Sequence, residues 1–293
     1  MLSEEMLAKI QKFHFRTRYL ANDIFAGQYV GAFRGQGMEF AEVREYQHGD
    51  DIRSIDWNVS ARHGRPFVKI FHEERELTLM LLIDLSGSHQ FGTRGRFKRE
   101  LLAEVAGMLA FLAIRTNDKV GAILFTSQVE KFLPPKKGVQ NVWRLIKEIF
   151  TFEPESSKTN INAAFTYLNQ VVKRHAIAFL LSDCMDEGFD KGFRLTAKKH
   201  DLTVLRIIDP AEAQLPYVGS MRMVDPETGE NAIIDTSSKT LRHRFLGERA
   251  RHDAYLKDLT SRAGVDLVQL RTDHDVMEPL SRLFLQRRKH INV

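Results

Sequence analysis

Apolar runs of strand length alternate with amphipathic helical segments over most of the chain after residue 76. The segment 77–84 (LTLMLLID) is a continuous apolar run that ends in a carboxylate. Such a run is typical of a strand that is buried on both faces of a sheet. The segment 97–116 then has apolar residues at helical spacing, which predicts a helix with one buried face. That face is predicted to contain Phe97, Leu101, Val105, Met108 and Leu112.

The same alternation continues through the C-terminal part of the chain. Further strands are predicted at 120–127, 176–183, 202–209 and 265–272, with helices at 140–150, 161–172, 188–200, 241–263 and from residue 276. Pro226 and Gly229 lie at a turn between two extended pieces, so residues 219–236 are predicted to form a hairpin insertion. Strands that alternate with helices predict an α/β fold whose doubly wound, mostly parallel sheet is covered by helices on both faces.

The N-terminal part has a different pattern. The first two dozen residues are predicted to form a helix, because Leu7, Ile10, Phe13 and Leu20 have roughly helical spacing. The segment 29–71 is rich in Gly, Arg and Asp and contains only short extended pieces. The sequence therefore predicts an N-terminal helix and β-rich extension over residues 1–76, followed by the larger α/β domain at 77–293.

The composition is that of a folded protein, with 43% hydrophobic and 28% charged residues in a chain of 293. The net charge of +5 is small for this length and is spread along the chain, which argues against nucleic acid as the partner. The lone Cys184 excludes an internal disulfide and fits a reducing compartment. No apolar run approaches the roughly 20 residues of a membrane span, and no signal-peptide pattern begins the sequence. A cytoplasmic location is therefore expected.

Candidate chemistry lies where the predicted strands end. Asp84 and Asp183 each follow an apolar strand, and ligands of open doubly wound sheets bind at the carboxyl ends of the strands. These two carboxylates are therefore expected on the same edge of the sheet. Ser86 and Ser88 follow Asp84 directly, and Thr159 precedes a predicted helix near the same edge. Asp209 also ends a strand, but no hydroxyl side chain follows it, so it is interpreted as a turn residue.

Oxygen ligands without His or Cys favour a hard cation, Mg²⁺ or Mn²⁺, over zinc. Two carboxylates leave such a cation incompletely neutralised, so that a partner's oxygen could complete its coordination. In isolation, each serine is better explained as a helix cap, Thr159 with Asn160 as another, and Asp183 as a turn residue. Their joint position at one edge of the sheet favours the metal hypothesis. His89 is expected to be an ordinary core or surface histidine.

Two sets of residues resemble a known family. Asp84-Leu-Ser86-Gly-Ser88, together with Thr159 and Asp183, resembles the metal-ion-dependent adhesion site of von Willebrand factor A domains. Upstream, GQGMEFAEVREYQHGDDIRSIDWNVSAR (35–62) is similar to the signature of the domain of unknown function 58 family, and KGVQNV and FLLSDCMD occupy the family's positions. The resemblance spans nearly the whole chain.

This resemblance implies an A-domain fold with an N-terminal β-rich extension, and Mg²⁺ at the five residues just named. It implies direct ligation by the serines, with the aspartates acting through water. It also implies a chaperone-like or adaptor role beside a MoxR-type AAA+ ATPase. Two residues depart from the family pattern. Lys158 precedes the loop threonine, where its ammonium could repel or mimic the cation, and His89 replaces a common methionine.

The segment 48–57 has an unusual density of charge for one turn. A structural interpretation is a Gly-Asp turn with an Asp–Arg pair and a buried Trp57. A functional interpretation is a partner-docking face that consists of Arg44, Asp50, Asp51 and Arg53.

Three functions follow as hypotheses. The first is a non-catalytic, Mg²⁺-dependent adaptor that binds a client protein through the client's carboxylate and works with a MoxR-type AAA+ ATPase. The second is a phosphotransferase with Asp84 as nucleophile, although Ser86 stands where a second Asp is needed as acid and base. No G-x-S-x-G or P-loop motif supports other catalysis. The third is a binder of anionic surfaces through the basic tail 287–289.

Overall fold

The structure is a computed structural model that describes residues 23–33, 39–72, 77–93, 96–213, 215 and 217–291. The apolar positions of the predicted N-terminal helix, Leu7, Ile10, Phe13 and Leu20, lie outside these ranges. The chain divides into two compact units. The smaller lies within residues 34–76, and the described residues outside that segment form the larger.

Helix α1 (Asp23–Phe33) belongs to the larger unit. Its Phe25, Tyr29 and Phe33 are buried, and their rings lie 5.1, 5.9 and 5.8 Å from the ring of Phe284. Sequence alone places this segment in the extension at 1–76. The structure differs because the aromatic residues of α1 pack against the C-terminal helix, and such ring pairs stabilise a contact beyond their buried area.

The smaller unit contains an antiparallel pair of strands. Its elements are β1 (Glu39–Glu45), a 3₁₀ turn (Ile52–Ser54), α2 (Trp57–His63) and β2 (Phe67–His72). Asp56 caps α2, because its carboxylate accepts hydrogen bonds from the backbone N–H groups of Asn58 (2.9 Å) and Val59 (3.2 Å). The extended pieces that the sequence predicts here are thus two paired strands.

The larger unit contains the alternating strands and helices. Its strands are β3 (Thr78–Asp84), β4 (Lys119–Phe125), β5 (Val129–Lys136), β6 (Ile177–Ser182), β7 (Asp201–Ile208), β8 (Ser220–Val224), β9 (Asn231–Asp235) and β10 (Asp266–Arg271). Its helices after α1 are α3 (Lys98–Arg115), α4 (Val139–Thr151), α5 (Ile161–Val171), α6 (Asp190–Lys199), α7 (Pro210–Ala213), α8 (Lys239–Ala263) and α9 (Met277–Ile291). Strands β8 and β9 form the predicted hairpin, an antiparallel pair outside the main sheet.

The main sheet has the strand order β10-β7-β6-β3-β4-β5. All neighbours are parallel except the edge strand β5, which is antiparallel to β4. From β3 the chain builds outward through β4 and β5, then returns to β6 on the other side of β3. The order therefore reverses between β3 and β6, and the carboxyl ends of these two strands form the crevice where ligands of such sheets bind.

Helices cover the sheet on both faces. Along β3, Leu79, Leu81 and Ile83 belong to the core that includes α1, α3, α4 and α9. The alternate residues Met80 and Leu82 belong to the opposite core, with α5, α6 and α8. Because successive side chains of a strand point to opposite faces, a continuous apolar run satisfies both cores. The predicted α/β fold with a doubly wound, mostly parallel sheet is confirmed.

The buried face of α3 differs from the prediction at its first position. Leu101, Val105, Met108 and Leu112 are fully buried, whereas Phe97 is 51% exposed. Helix α3 begins one residue after Phe97, so that side chain lies outside the helical repeat. Among the described residues, no helix is both long and apolar enough to cross a lipid bilayer.

Candidate metal centre

The carboxylate of Asp84 is held rigidly at the end of β3. It is fully buried, and its Oδ1 accepts a hydrogen bond from the backbone N–H of Ser86 at 3.0 Å. Its Oδ2 accepts a hydrogen bond from the hydroxyl of Ser182, which ends the neighbouring strand β6, at 2.6 Å. The strand register explains this contact. Ile83 of β3 pairs with Leu181 of β6, so the residues that follow them, Asp84 and Ser182, are neighbours as well. The switch point of the sheet thus fixes one negative charge in a buried position.

Three further side chains that could bind a cation lie close together in the loop after Asp84. The hydroxyls of Ser86 and Ser88 lie 3.2 Å apart, and Nδ1 of His89 lies 3.3 Å from each of them. The same Nδ1 lies 3.6 Å from Oδ1 of Asp84. A 3₁₀ turn over Gly87–Gln90 brings these side chains to one point. Ser86 precedes that turn but makes no capping hydrogen bond with its side chain, so the helix-cap interpretation of Ser86 is wrong.

Asp183 follows β6 and carries the second carboxylate. It is buried, with Oδ2 at 3.0 Å from the ammonium of Lys98 and Oδ1 accepting the backbone N–H of Met185 at 3.2 Å. Burial raises the pKa of Asp183, but the charges of Lys98 and His89 and the hydrogen bonds from Ser88 and Lys98 together hold that pKa well below its usual range. Asp183 is therefore ionised at neutral pH.

These side chains form a compact ligand set. Asp84, His89 and Asp183 are all buried and offer ligand atoms that lie within 4.8 Å of one another. An octahedral cation with bonds of about 2.1 Å separates adjacent ligands by about 3 Å. The separations around Nδ1 of His89 and between the serine hydroxyls, 3.2–3.6 Å, are close to that spacing. The donor set therefore fits a divalent cation, with mainly hard oxygen ligands and one nitrogen.

Thr159 lies near this cluster but bonds elsewhere. Its hydroxyl donates to Oε1 of Glu227, in the hairpin turn between β8 and β9, at 2.6 Å. The next residue, Asn160, caps α5 by accepting from the backbone N–H of Ala163 at 3.0 Å. The cap predicted for this position is therefore Asn160, which leaves the Thr159 hydroxyl free of a capping role.

The ammonium at the site is Lys98 and not Lys158. Lys98 is fully buried at the start of α3 and also forms an ion pair with Glu212. Burial lowers the pKa of a lysine, but Asp183 and Glu212 together raise the pKa of Lys98 above its usual value. Lys158 is exposed. A sequence signal for Lys98 exists, since it lies one helical turn before the buried Leu101 and Leu102 and so extends the buried face.

His89 is the other residue that sequence reasoning missed. It is 1% exposed, and its Nε2 has no hydrogen-bond partner among the residues that the structure describes. The expectation of a core or surface histidine is met in that the ring is buried, and the ring also lies beside Asp84 and Asp183. Its only local signal is its position directly after Ser88, in the loop that carries the candidate ligands.

Two other buried residues near this edge have structural roles. Asp209, predicted to be a turn residue without hydroxyl partners, accepts hydrogen bonds from the hydroxyls of Thr93 and Thr272, the latter at 2.8 Å. These partners come from distant loops, which sequence spacing does not show. Burial raises the pKa of the Cys184 thiol, which keeps it protonated and unreactive at neutral pH.

One residue of the basic tail, Arg287, forms ion pairs within the protein. The guanidinium of Arg287 lies 2.9 Å from Asp201 and 2.5 Å from Asp266, at the amino ends of β7 and β10. Its charge therefore stabilises the sheet edge and is less available to an anionic surface.

The predicted partner-docking residues form a turn in the smaller unit. Arg44 binds both carboxylate oxygens of Asp50, at 2.7 and 2.8 Å, and these bonds lower the pKa of Asp50. Asp51 accepts the backbone N–H of Arg53 at 2.9 Å and thereby caps the 3₁₀ turn. The Asp–Arg pair of the structural interpretation is therefore present.

Trp57 is 68% exposed, so its predicted burial is wrong. Ile52, in the 3₁₀ turn, is also exposed.

We expect Trp57→Ala to change the free energy of unfolding by less than about 0.5 kcal/mol, because exposed side chains contribute little to stability. Val68→Ala, at a buried position of β2, serves as the comparison and should cost about 2 kcal/mol. Urea unfolding of both variants measures the difference. A large loss for Trp57→Ala would show that the tryptophan is buried after all.

Fold and site together define a class of protein. The chain is an α/β protein with a cluster of carboxylate, hydroxyl and imidazole side chains at the switch point of its sheet. The family model described as "Protein of unknown function DUF58" matches residues 42–255, and the chain belongs to this family. The resemblance seen in the sequence is thereby confirmed at the level of the family.

One relative and two solved structures illustrate what this chain is similar to. An uncharacterised protein of Mycobacterium tuberculosis strain H37Rv is 28% identical over 290 residues, which cover 97% of this chain and 90% of the relative. BatB from Bacteroides thetaiotaomicron is similar over 73% of this chain and 99% of its own, with 16% identity and a TM-score of 0.45. The VWA domain of SpRpn10 is similar over 72% of this chain and 95% of its own, with 12% identity and a TM-score of 0.37.

Proposed function

We propose that this protein is a non-catalytic adaptor that binds a protein partner through a divalent cation, Mg²⁺ or Mn²⁺, at the switch point of its sheet. The observation that carries the proposal is the buried cluster of Asp84, Ser86, Ser88, His89 and Asp183. Thr159 is the further candidate ligand, at the edge of the same cluster. A bound cation would supply an electrophilic position with room for one more oxygen ligand.

The charges in this cluster favour an anionic partner group. Lys98 offsets the charge of Asp183, so one carboxylate, Asp84, is left to balance a doubly charged cation. An incompletely neutralised cation in a buried setting attracts a carboxylate strongly. The partner group that fits is therefore an Asp or Glu side chain of a client protein, and a MoxR-type AAA+ ATPase is the proposed second partner.

The geometry around Asp84 supports a binding role over a nucleophilic one. Both of its oxygens already accept hydrogen bonds, from Ser86 N–H and the Ser182 hydroxyl. Such bonds stabilise the ionised carboxylate and lower its reactivity toward phosphorus. Ser86, where a phosphotransferase needs a second Asp, cannot act as acid and base at neutral pH. Hydrolysis of p-nitrophenyl phosphate that is lost in Asp84→Ala would favour the phosphotransferase instead.

The test is affinity capture from the native cell extract in Mg²⁺ and again in EDTA. We expect a MoxR-type ATPase, identified by mass spectrometry, to bind the wild type only in Mg²⁺. Asp84→Ala and Ser86→Ala should lose it while their circular dichroism spectra stay native, because each removes a candidate ligand. Ser261→Ala, at an exposed position of α8, is the matched control and should bind normally.

Binding is then repeated with the purified ATPase to show that the contact is direct. An ATPase that binds equally well in EDTA and to both site variants would contradict the proposal. In that case the docking surface would lie away from the cluster, and the turn of Arg44, Asp50, Asp51 and Arg53 would be tested next.

A further inference from the structure

The turn of the β8–β9 hairpin lies directly on the loop of candidate ligands. A Cβ added to Gly87 would lie 2.1 Å from the carbonyl oxygen of Pro226, so only a glycine permits this approach. The Ser157 hydroxyl donates to the carbonyl oxygen of Glu227 at 2.6 Å, and the Gly87 N–H donates to the carbonyl oxygen of Ser157 at 2.8 Å. The ligand loop, the loop before α5 and the hairpin turn are therefore in mutual contact.

Glu227 is the side chain that this turn directs toward the cluster. It is half-buried, whereas its neighbours Pro226 and Thr228 are exposed. Its Oε1 accepts the hydroxyl of Thr159 at 2.6 Å. Asp225 holds the turn in shape by accepting the backbone N–H of Glu227 at 2.8 Å. The carboxylate is thus placed by the hairpin against a candidate ligand of the cation.

The negative charges of the other carboxylates act on Glu227. Burial raises the pKa of Glu227, and the charges of Asp183 and Asp84 raise it further, while the Thr159 hydrogen bond opposes them. Like charges that share a site are costly unless a cation lies between them. With Glu227 included, the carboxylates of Asp84, Asp183, Glu212 and Glu227 outnumber the Lys98 ammonium by three charges. A divalent cation offsets most of that charge.

We propose that Glu227 is an internal ligand of the cation site, which occupies the coordination position otherwise open to a partner's carboxylate. Partner binding then requires the hairpin turn to move away. The inference rests on the proposed function, because the position that Glu227 occupies is the one that function assigns to a client. The chain alone then completes a closed site, and a client must compete with a carboxylate that is already in place.

Mn²⁺ is the probe for the first test, because its paramagnetism reports the water molecules it binds. In Glu227→Ala a water should replace the carboxylate. We expect Mn²⁺ to bind about tenfold more weakly, and each bound Mn²⁺ to relax water protons faster than in the wild type. Glu230→Ala, an exposed glutamate of the same hairpin, is the matched control and should behave as the wild type.

Gly87→Ala gives a second variant that removes no candidate ligand. Its methyl group should push the turn away from the loop, and the amides of residues 220–235 should exchange hydrogen faster. Its bound Mn²⁺ should show the same faster proton relaxation as in Glu227→Ala. In the capture experiment both variants should retain several times more partner than the wild type, whereas Asp84→Ala retains none.

The possible failures are distinguishable. If the wild type binds Mn²⁺ and Glu227→Ala matches it in affinity and proton relaxation, Glu227 is not a ligand and only this inference is overturned. If the wild type binds no Mn²⁺, the proposed function is overturned as well. A third outcome is that Mn²⁺ bound to Glu227→Ala relaxes water protons faster, but the variant captures less partner than the wild type. Glu227 would then be a ligand that promotes partner binding, and the proposed competition between Glu227 and the partner would be overturned.

Discussion

Replacing Lys98 by methionine should destabilise the protein by about 3–5 kcal/mol, because it leaves a buried carboxylate without its partner. Methionine retains most of the aliphatic volume, so the change removes charge more than packing. Asp183, at 3.0 Å from the ammonium, would then be ionised in a buried position without a compensating cation. Urea unfolding at pH 7 in EDTA measures the loss. Lys158→Met, at an exposed position, is the control and should cost less than about 0.5 kcal/mol.

The dependence on pH gives this prediction a second readout. The pKa of Asp183 is lowered in the folded state, so its contribution to stability is present at neutral pH and is lost as the pH falls below about 4, its unfolded value. The pKa of Lys98 is raised, so its contribution is present below about pH 10.4 and is lost as the pH rises through the folded value. The free energies of unfolding of the wild type and Lys98→Met should therefore differ less at acidic pH than at pH 7.

Added Mg²⁺ should stabilise Lys98→Met more than it stabilises the wild type. In the variant the ion pair between Lys98 and Asp183 is lost, so a bound cation replaces the missing positive charge beside that carboxylate. Equal stability of the variant and the wild type at pH 7 in EDTA would contradict the ion-pair argument. It would show that Asp183 is protonated, or hydrated, once the ammonium is gone.

Replacing Asp84 by asparagine should weaken the binding of Mg²⁺ and Mn²⁺ by about 100-fold or more. Loss of a group that only orients a ligand already costs 10–100-fold, and Asp84 supplies the charge that no other side chain of the loop provides. Asparagine can still accept the Ser86 N–H, but its amide cannot accept the Ser182 hydroxyl at Oδ2. A stability cost of about 1–3 kcal/mol is therefore expected as well.

Asp209→Asn is the matched control for this experiment. Asp209 is also a fully buried carboxylate at the end of a strand, but its partners are Thr93 and Thr272. It should lose stability by a similar amount while cation affinity, measured by isothermal titration calorimetry, stays unchanged. Equal loss of affinity in both variants would show that affinity depends on the sheet as a whole and not on Asp84 as a ligand.

Local sequence determined the sheet and the position of its chemistry. The continuous apolar run of β3 required burial on both faces, and the alternation of strands with helices required parallel pairing. Parallel strands end at one edge, so Asp84 and Asp183 were brought together by topology alone. Ser86 and Ser88 follow Asp84 within one short loop, so they must also lie close to it in space. The ligands within that loop and at the ends of the strands could therefore be predicted.

Only the tertiary structure decided which side chains surround those ligands. Lys98 is 85 residues from Asp183, Thr159 is 68 from Glu227, and Thr93 is 116 from Asp209. Periodicity reports which face of one element is buried, but not what lies across from it. The exposure of Trp57 and Phe97 was missed for the same reason, since an aromatic residue in an apolar pattern need not face a core. The charge balance of the site, and with it the place of Glu227, depends on these distant contacts.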